Sequence, residues 1–195
     1  MSVEAAWSRG DWMQTYTGRR FYPLSPRPED VDPVDIAHAL SLLCRYGGHV
    51  DRFYSVAEHC VLMSEWVEDT ATPGDPERAR RLALWALLHD ATEAYVVDVP
   101  RPLKRSLPGY KDIESVVMAA IVERFGLPSV FMPPEVKDAD DRILLTERNA
   151  LMSATTERWA QEHLGPLPVA IHAWAPPEAE RRYARRLADL TAATR

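Results

Sequence analysis

Apolar residues along this chain recur mostly every three or four positions, as they do in helices that each turn one face to a core. From 56 to 67 the apolar positions are Val56, Cys60, Met63, Trp66 and Val67, and from 113 to 121 they are Ile113, Val116, Val117, Ala120 and Ile121. Between Leu82 and Leu88 the chain is apolar almost all round, which predicts a central, buried helix. The strict alternation of half-buried strands is scarce. Helix-on-helix packing is therefore expected, and the predicted class is all-α, a helical bundle.

Punctuation sets the expected boundaries. Asp32-Pro33 reads as an N-cap with proline at the first helical position, opening a helix that Gly47-Gly48 closes near Tyr46. Ser55-Val-Ala-Glu58 matches a capping box and starts the next helix. A third is predicted over 77–94, ended by Val96-Val97 and Pro100. Residues 101–109 read as a connector with room for one short turn. A helix over 110–125 is closed by Gly126 and Pro128. Residues 134–163 read as helical with room for a break, and 177–193 as a last helix charged on one face. Residues 1–31 carry Trp7, Trp12, Tyr16, Phe21 and Tyr22 among Pro23, Pro26 and Pro28. They are expected to be irregular and to wrap over the core.

Composition narrows the function classes. The 195 residues, 46% of them hydrophobic, suffice for a single domain over 1–195. No apolar run has transmembrane length, so no membrane partner is expected. The opening MSVEAAWSRGDWMQTY lacks the basic and apolar regions of a signal peptide. A net charge of −6 argues against a nucleic-acid surface, and an acidic protein that binds an anion needs local cations or a metal. Arg181, Arg182, Arg185 and Arg186 alternate with Glu178, Glu180 and Asp189 and read as a solvated helix face. Cys44 and Cys60 form neither a disulfide framework nor a CxxC pair, and the expected location is cytoplasmic with reduced thiols.

Several ionisable residues fall on apolar faces. His59 lies three after Val56 and four before Met63. Asp140 lies four after Val136 and three before Ile143. His89 and Asp90 continue the buried run 82–88, and Glu93, four after His89, shares its face on a helix. An unpaired buried polar group costs about 1–3 kcal/mol, so such groups need partners. Two imidazoles and two carboxylates form a nitrogen-and-oxygen ligand set for a divalent first-row metal, and their wide spacing suits a site assembled between helices. Blander pairings stay open at this point: Asp140 could pair with Arg142 or Lys137, and Glu93 could be an exposed helix-end charge. His163 and His172, near Gly165-Pro166, are expected to be exposed. His38 reads as structural. His49, in the loop leading toward His59, could approach a substrate and is not counted in the site.

The ordered motifs SVAEH (55–59), HDATE (89–93), DVPRPLK (98–104) and VKDADD (136–141) resemble the HD-domain phosphohydrolases, all-α proteins with a divalent metal. The likeness runs from about 33 to 153 and is to the nucleotide-hydrolysing branch, with its 5′-deoxynucleotidases and phage dATP triphosphohydrolases. It implies that His59, His89, Asp90 and Asp140 are metal ligands, the metal being Co, Mn, Zn, Fe or Ni. It implies that Glu93 moves a proton beside the attacking water, so that Glu93 and Asp90 form the catalytic pair. Arg45 matches an arginine on the substrate phosphate, Asp98 a reader of the sugar 3′-hydroxyl, and Lys104 a basic residue near the phosphates. Tyr46 stands where the deoxynucleotidases carry a tryptophan that crowds the sugar C2′ side, a departure that bears on sugar selectivity.

The implied activity is hydrolysis of deoxynucleoside 5′-monophosphates to nucleoside and phosphate. The alternatives are release of triphosphate from a dNTP such as dATP, or a nucleotide-sensing module without turnover. Relatives are commonly homo-oligomers, and the same is expected here. No nucleic-acid partner is expected.

Overall fold

Three acceptor side chains open the helices around which the chain is built. Asp32 accepts from the Val34 N–H at 2.9 Å, Ser55 from the Glu58 N–H at 3.1 Å and Asp75 from the Arg78 N–H at 2.8 Å. Each satisfies a backbone donor that the first helical turn leaves unpaired. They begin α1 (Pro33–Leu42), α2 (Val56–Thr70) and α3 (Pro76–Leu88). The computed structural model describes residues 9–71 and 74–192. Downstream come the short α4 (Glu93–Val96) and α5 (Arg101–Lys104), then α6 (Tyr110–Phe125), α7 (Pro134–Leu151) and α8 (Pro176–Ala192). Helix is 59% and strand 3%, which makes the protein all-α.

The bundle is centred on α2, which packs against α1, α3, α7 and α8; α8 also lies on α1 and α3. The predicted apolar run is interior: Leu82 to Leu88 are all buried. Leu87, Leu88, Ile121 and Ile143 are fully buried, each worth about 1.5–3 kcal/mol in transfer free energy. On α6 the buried face is Val117, Ala120, Ile121 and Val122, while Val116 turns to solvent. Among the described residues, no helix is long and apolar enough to cross a membrane.

Within residues 9–31, Phe21 and Val31 join the core cluster, and the segment holds one small regular piece. Strands β1 (Met13–Gln14) and β2 (Arg20–Phe21) pair antiparallel, Met13 opposite Phe21. Phe21 is fully buried and stacks on Tyr95 with ring centroids 3.8 Å apart. Buried Asp35 of α1 fastens the hairpin turn by accepting from the Thr17 backbone N–H at 2.7 Å and its hydroxyl at 3.0 Å. The expectation for Trp7 lies outside the described residues.

Several predicted boundaries are corrected. The first helix ends at Leu42 rather than near Tyr46. Beyond it Cys44 bridges Ser55, the Arg45 N–H donates to the Tyr54 carbonyl and the Val56 N–H to the Leu43 carbonyl, so this stretch pairs with the entry to α2. The third helix stops at Leu88, not 94. The last helix starts at Pro176, and its predicted end at 193 lies outside the described residues. The predicted helix over 134–163 ends at Leu151, whose carbonyl accepts the Asp51 N–H at 2.8 Å; a 3-10 turn follows only at Glu162–Leu164. The capping box is half made: Ser55 caps, but the Glu58 carboxylate turns away to the backbone N–H groups of His172, Ala173 and Trp174 at 2.8, 2.9 and 2.6 Å. Arg186 leaves the solvated face of α8 and bonds Ser64 and Glu68 on α2.

Candidate metal centre

Three helices aim donor atoms at one buried place. His59, on the inward stripe of α2, has no solvent exposure. His89 and Asp90 follow the last residue of α3, and Asp140 sits on the inward stripe of α7. His59 Nε2 lies 3.2 Å from His89 Nε2, 3.7 Å from Asp90 Oδ2 and 3.8 Å from Asp140 Oδ1. His89 Nε2 lies 3.2 Å from Asp90 Oδ2 and 4.0 Å from Asp140 Oδ1. Metal–ligand bonds of about 2.0–2.2 Å place donor atoms about 3 to 4 Å apart, from neighbouring to opposed positions, and these separations fall within that span. His59, His89 and Asp140 offer atoms all within 4.8 Å of one another and could hold a metal ion.

Each imidazole is held from behind. The His89 Nδ1–H donates to the Ala86 carbonyl at 2.8 Å. The His59 Nδ1–H donates to Glu147 Oε1 at 2.7 Å. Both arrangements leave Nε2 toward the cluster, the role of an outer partner at a metal site. Asp140 is divided: Oδ1 faces the imidazoles, while Oδ2 accepts from Arg101 at 2.8 Å and Lys137 at 3.4 Å. The partner anticipated as one option, Lys137, is present; Arg142 goes to Asp138 instead. Arg101 and Lys137 also bond Asp141. Cys60, His89 and Asp90 form a second donor group; without an ion, burial pushes the Cys60 thiol up to about 11.

The charges are strongly perturbed. Burial, with Arg45 nearby, lowers the pKa of His59. Burial also disfavours a charge on His89, yet Asp90 beside it raises its pKa well above the ordinary histidine value. Burial works against the Asp90 carboxylate too, but His89, His59 and Arg45 hold it far below the usual range. Glu93 is the opposite case: burial, reinforced by Asp90 and Asp98, raises its pKa well above the usual range. Its Oε2 is buried and meets no hydrogen-bond partner among the described residues.

The chain from Leu88 to Glu93 turns with three-residue hydrogen bonds, Ala91 N–H to the Leu88 carbonyl and Glu93 N–H to the Asp90 carbonyl, both 3.0 Å. At that pitch residues three apart lie above one another. Asp90, three residues back, and Asp98 are the carboxylates that oppose a charge on Glu93. The open alternative of an exposed helix-end charge is excluded, since Glu93 is 6% exposed.

The residues matched to substrate contacts are spread over the surroundings. Arg45 is buried and its guanidinium faces Asp90 Oδ2 and Glu147 Oε2, each at 3.3 Å. Tyr46 has left-handed backbone (φ 58°), and its hydroxyl donates to Glu147 Oε2. Asp98 is half-buried, and burial, with Asp90 nearby, raises its pKa. Lys104 directs its ammonium to Glu114 at 2.7 Å. His49, His163 and His172 are exposed, and His38 pairs with Glu180 at 3.1 Å.

Glu147, Tyr54 and Arg101 were not singled out by the sequence. Glu147 carried the same signal as Asp140: it lies four after Ile143, three after Leu144 and four before Leu151, on the inward stripe of α7. Tyr54, which donates to Glu147 Oε1 at 2.9 Å, carried none.

No family model matches the chain. It is 41% identical over 131 residues to the uncharacterized protein RCAP_rcc00048 of Rhodobacter capsulatus, 66% of this chain and 64% of that protein. It is 44% identical over 140 residues to the uncharacterized protein YfdR of Escherichia coli (strain K12), covering 72% of each chain. At that identity and coverage, the chain belongs to the family of YfdR.

Proposed function

We propose that this protein is a metal-dependent phosphohydrolase of the HD type, acting on nucleotides and releasing phosphate from deoxynucleoside 5′-monophosphates. One observation carries the reading. Nitrogen and carboxylate donors from three helices meet in one buried cluster, beside a buried carboxyl, Glu93, whose Oε2 has no partner among the described residues. His59, His89, Asp90 and Asp140 would hold the ion. When bound, a divalent ion supplies Lewis acidity toward a phosphoryl oxygen and lowers the pKa of water.

The chain's own groups do the rest. Burial and the charges of Asp90 and Asp98 oppose ionisation of the Glu93 carboxyl and favour a proton on it. A carboxyl so tuned is suited to protonate the leaving nucleoside oxygen, and its conjugate base to take a proton from water. Arg45 backs Asp90 with a fixed positive charge. Arg101, Lys104 and Lys137 are the partly exposed cations of this region, and they offset the charge of an anionic substrate on a protein of net charge −6.

A second reading is release of intact triphosphate from a dNTP, which the same donor cluster would equally serve. A binding module without turnover would leave the orphaned Glu93 carboxyl unexplained.

The test is incubation of the purified protein with deoxynucleoside and nucleoside monophosphates and dNTPs, each with Mn²⁺, Co²⁺ or Zn²⁺, followed by chromatography. Nucleoside and phosphate from a monophosphate are expected. Triphosphate from a dNTP establishes the second reading. Intact nucleotides under every condition overturn both.

A further inference from the structure

Glu147 has no solvent exposure and is surrounded by donors. Oε1 accepts from His59 Nδ1–H at 2.7 Å and from the Tyr54 hydroxyl at 2.9 Å. Oε2 accepts from the Tyr46 hydroxyl and from Arg45 at 3.3 Å. A buried carboxylate loses its hydration, and the return from its partners is often no better than an apolar side chain of the same volume would give. Packing alone therefore does not account for a glutamate at this point of α7, where Ile143, Leu144 and Leu151 are its neighbours on the stripe.

What the carboxylate does specifically is choose a tautomer. A neutral imidazole carries one proton, on Nδ1 or on Nε2. With a carboxylate 2.7 Å from Nδ1, the proton sits there and the Nε2 lone pair points at His89, Asp90 and Asp140. Without that acceptor the proton can sit on Nε2, where it blocks ligation, and the ring is free to turn about its bond.

We infer that Glu147 is a positioning residue of the metal centre, fixing His59 in the tautomer and orientation that ligate, with Tyr54 holding the carboxylate in register. The inference rests on the metal-centre part of the function proposed above. Tyr54 matters because it shares Oε1 with His59: its O–H fixes where that oxygen lies.

The probe is Co²⁺ alone, titrated into metal-free protein against a competing chelator, with no nucleotide present. E147Q keeps the shape of the side chain and removes its charge, and should bind Co²⁺ about 10- to 100-fold more weakly than wild type. Y54F should lose less, in the same direction. Long-range ¹H–¹⁵N correlation spectra of the metal-free wild type should show His59 protonated on Nδ1. E147Q that is folded and binds within about threefold of wild type overturns the role of Glu147, since outer partners at such sites are worth more than that. A His59 proton on Nε2 overturns it equally, and together with Y54F decides the matter should E147Q fail to fold. Wild-type protein that takes up no Co²⁺ overturns the metal-centre reading, and this inference with it.

Discussion

Arg101 reaches from the short helix α5 to place a guanidinium nitrogen 2.8 Å from Asp140 Oδ2, on the far side of that carboxylate from His59 and His89. Half of the arginine side chain is exposed, so it stabilises the fold little, within about 1 kcal/mol. Its position beside the donor cluster makes it available to an incoming anion. Arg101→Ala should therefore leave metal content and melting temperature near wild type while raising KM for a nucleotide about tenfold or more, the scale of one lost charge-assisted hydrogen bond. A KM that stays put, measured on metal-loaded protein, removes Arg101 from substrate binding.

Glu93→Gln gives a pH signature as well as a kinetic one. The folded pKa of Glu93 is raised by burial and by Asp90 and Asp98, so between the unfolded and folded pKa values the folded state holds the extra proton. Stability then falls as pH rises through that window and levels off above it. Metal-free E93Q should match wild type at low pH and exceed it in melting temperature as pH rises past the ordinary glutamate range. Turnover of the metal-loaded variant should drop roughly 100-fold or more. Thermal scans across pH check the first part, and parallel melting curves at every pH contradict it.

Glu58→Ala tests the anchor of the C-terminal segment. Three backbone N–H groups lose their acceptor together, which should cost near the upper end of about 1–3 kcal/mol in urea unfolding. Amide exchange at 172–174 should accelerate well beyond the rest of the chain. Unchanged protection there would mean that other acceptors hold these groups.

Val97 carries φ 68° and ψ 157°, a region that glycine enters freely and a β-branched residue does not. Its carbonyl accepts the Tyr110 hydroxyl at 2.8 Å, which holds the turn. Strain of about 1–3 kcal/mol outweighs the usual cost of glycine, about 0.5–1 kcal/mol, and the side chain is largely exposed. Val97→Gly should raise the melting temperature. A fall of several degrees refutes the strain.

How much of this was legible depends on range. The caps at Asp32 and Ser55, the buried run before His89 and the inward stripe of Asp140 are local signals, and the structure follows them. Where helices end was not local. Leu43 and Cys44 leave α1 because residues 54–56 offer their backbone, and α7 stops where Asp51 takes the Leu151 carbonyl. The tight turn after Leu88 was hidden because its residues keep helical dihedrals, as at His89 and Thr92, and differ only in hydrogen-bond pitch. Glu147 was readable by the reasoning that found Asp140. Tyr54 and Arg101 were not, because each acts on a residue far away in the chain, and no spacing rule reports such a meeting.

Glu58 and His59 are consecutive on α2, one turned to the segment that leads into α8, the other to the donor cluster. The chain that completes the grip on Glu58 comes 114 residues later. At ribosomal speeds of about 5–20 residues per second, that is a delay of roughly 6 to 23 s. During it the nascent protein displays α2 with a bare carboxylate and with the faces that α7 and α8 will cover still open to water. Variants that loosen the 172–174 anchor should therefore reveal themselves in the yield of newly made chain before they do so in the finished molecule.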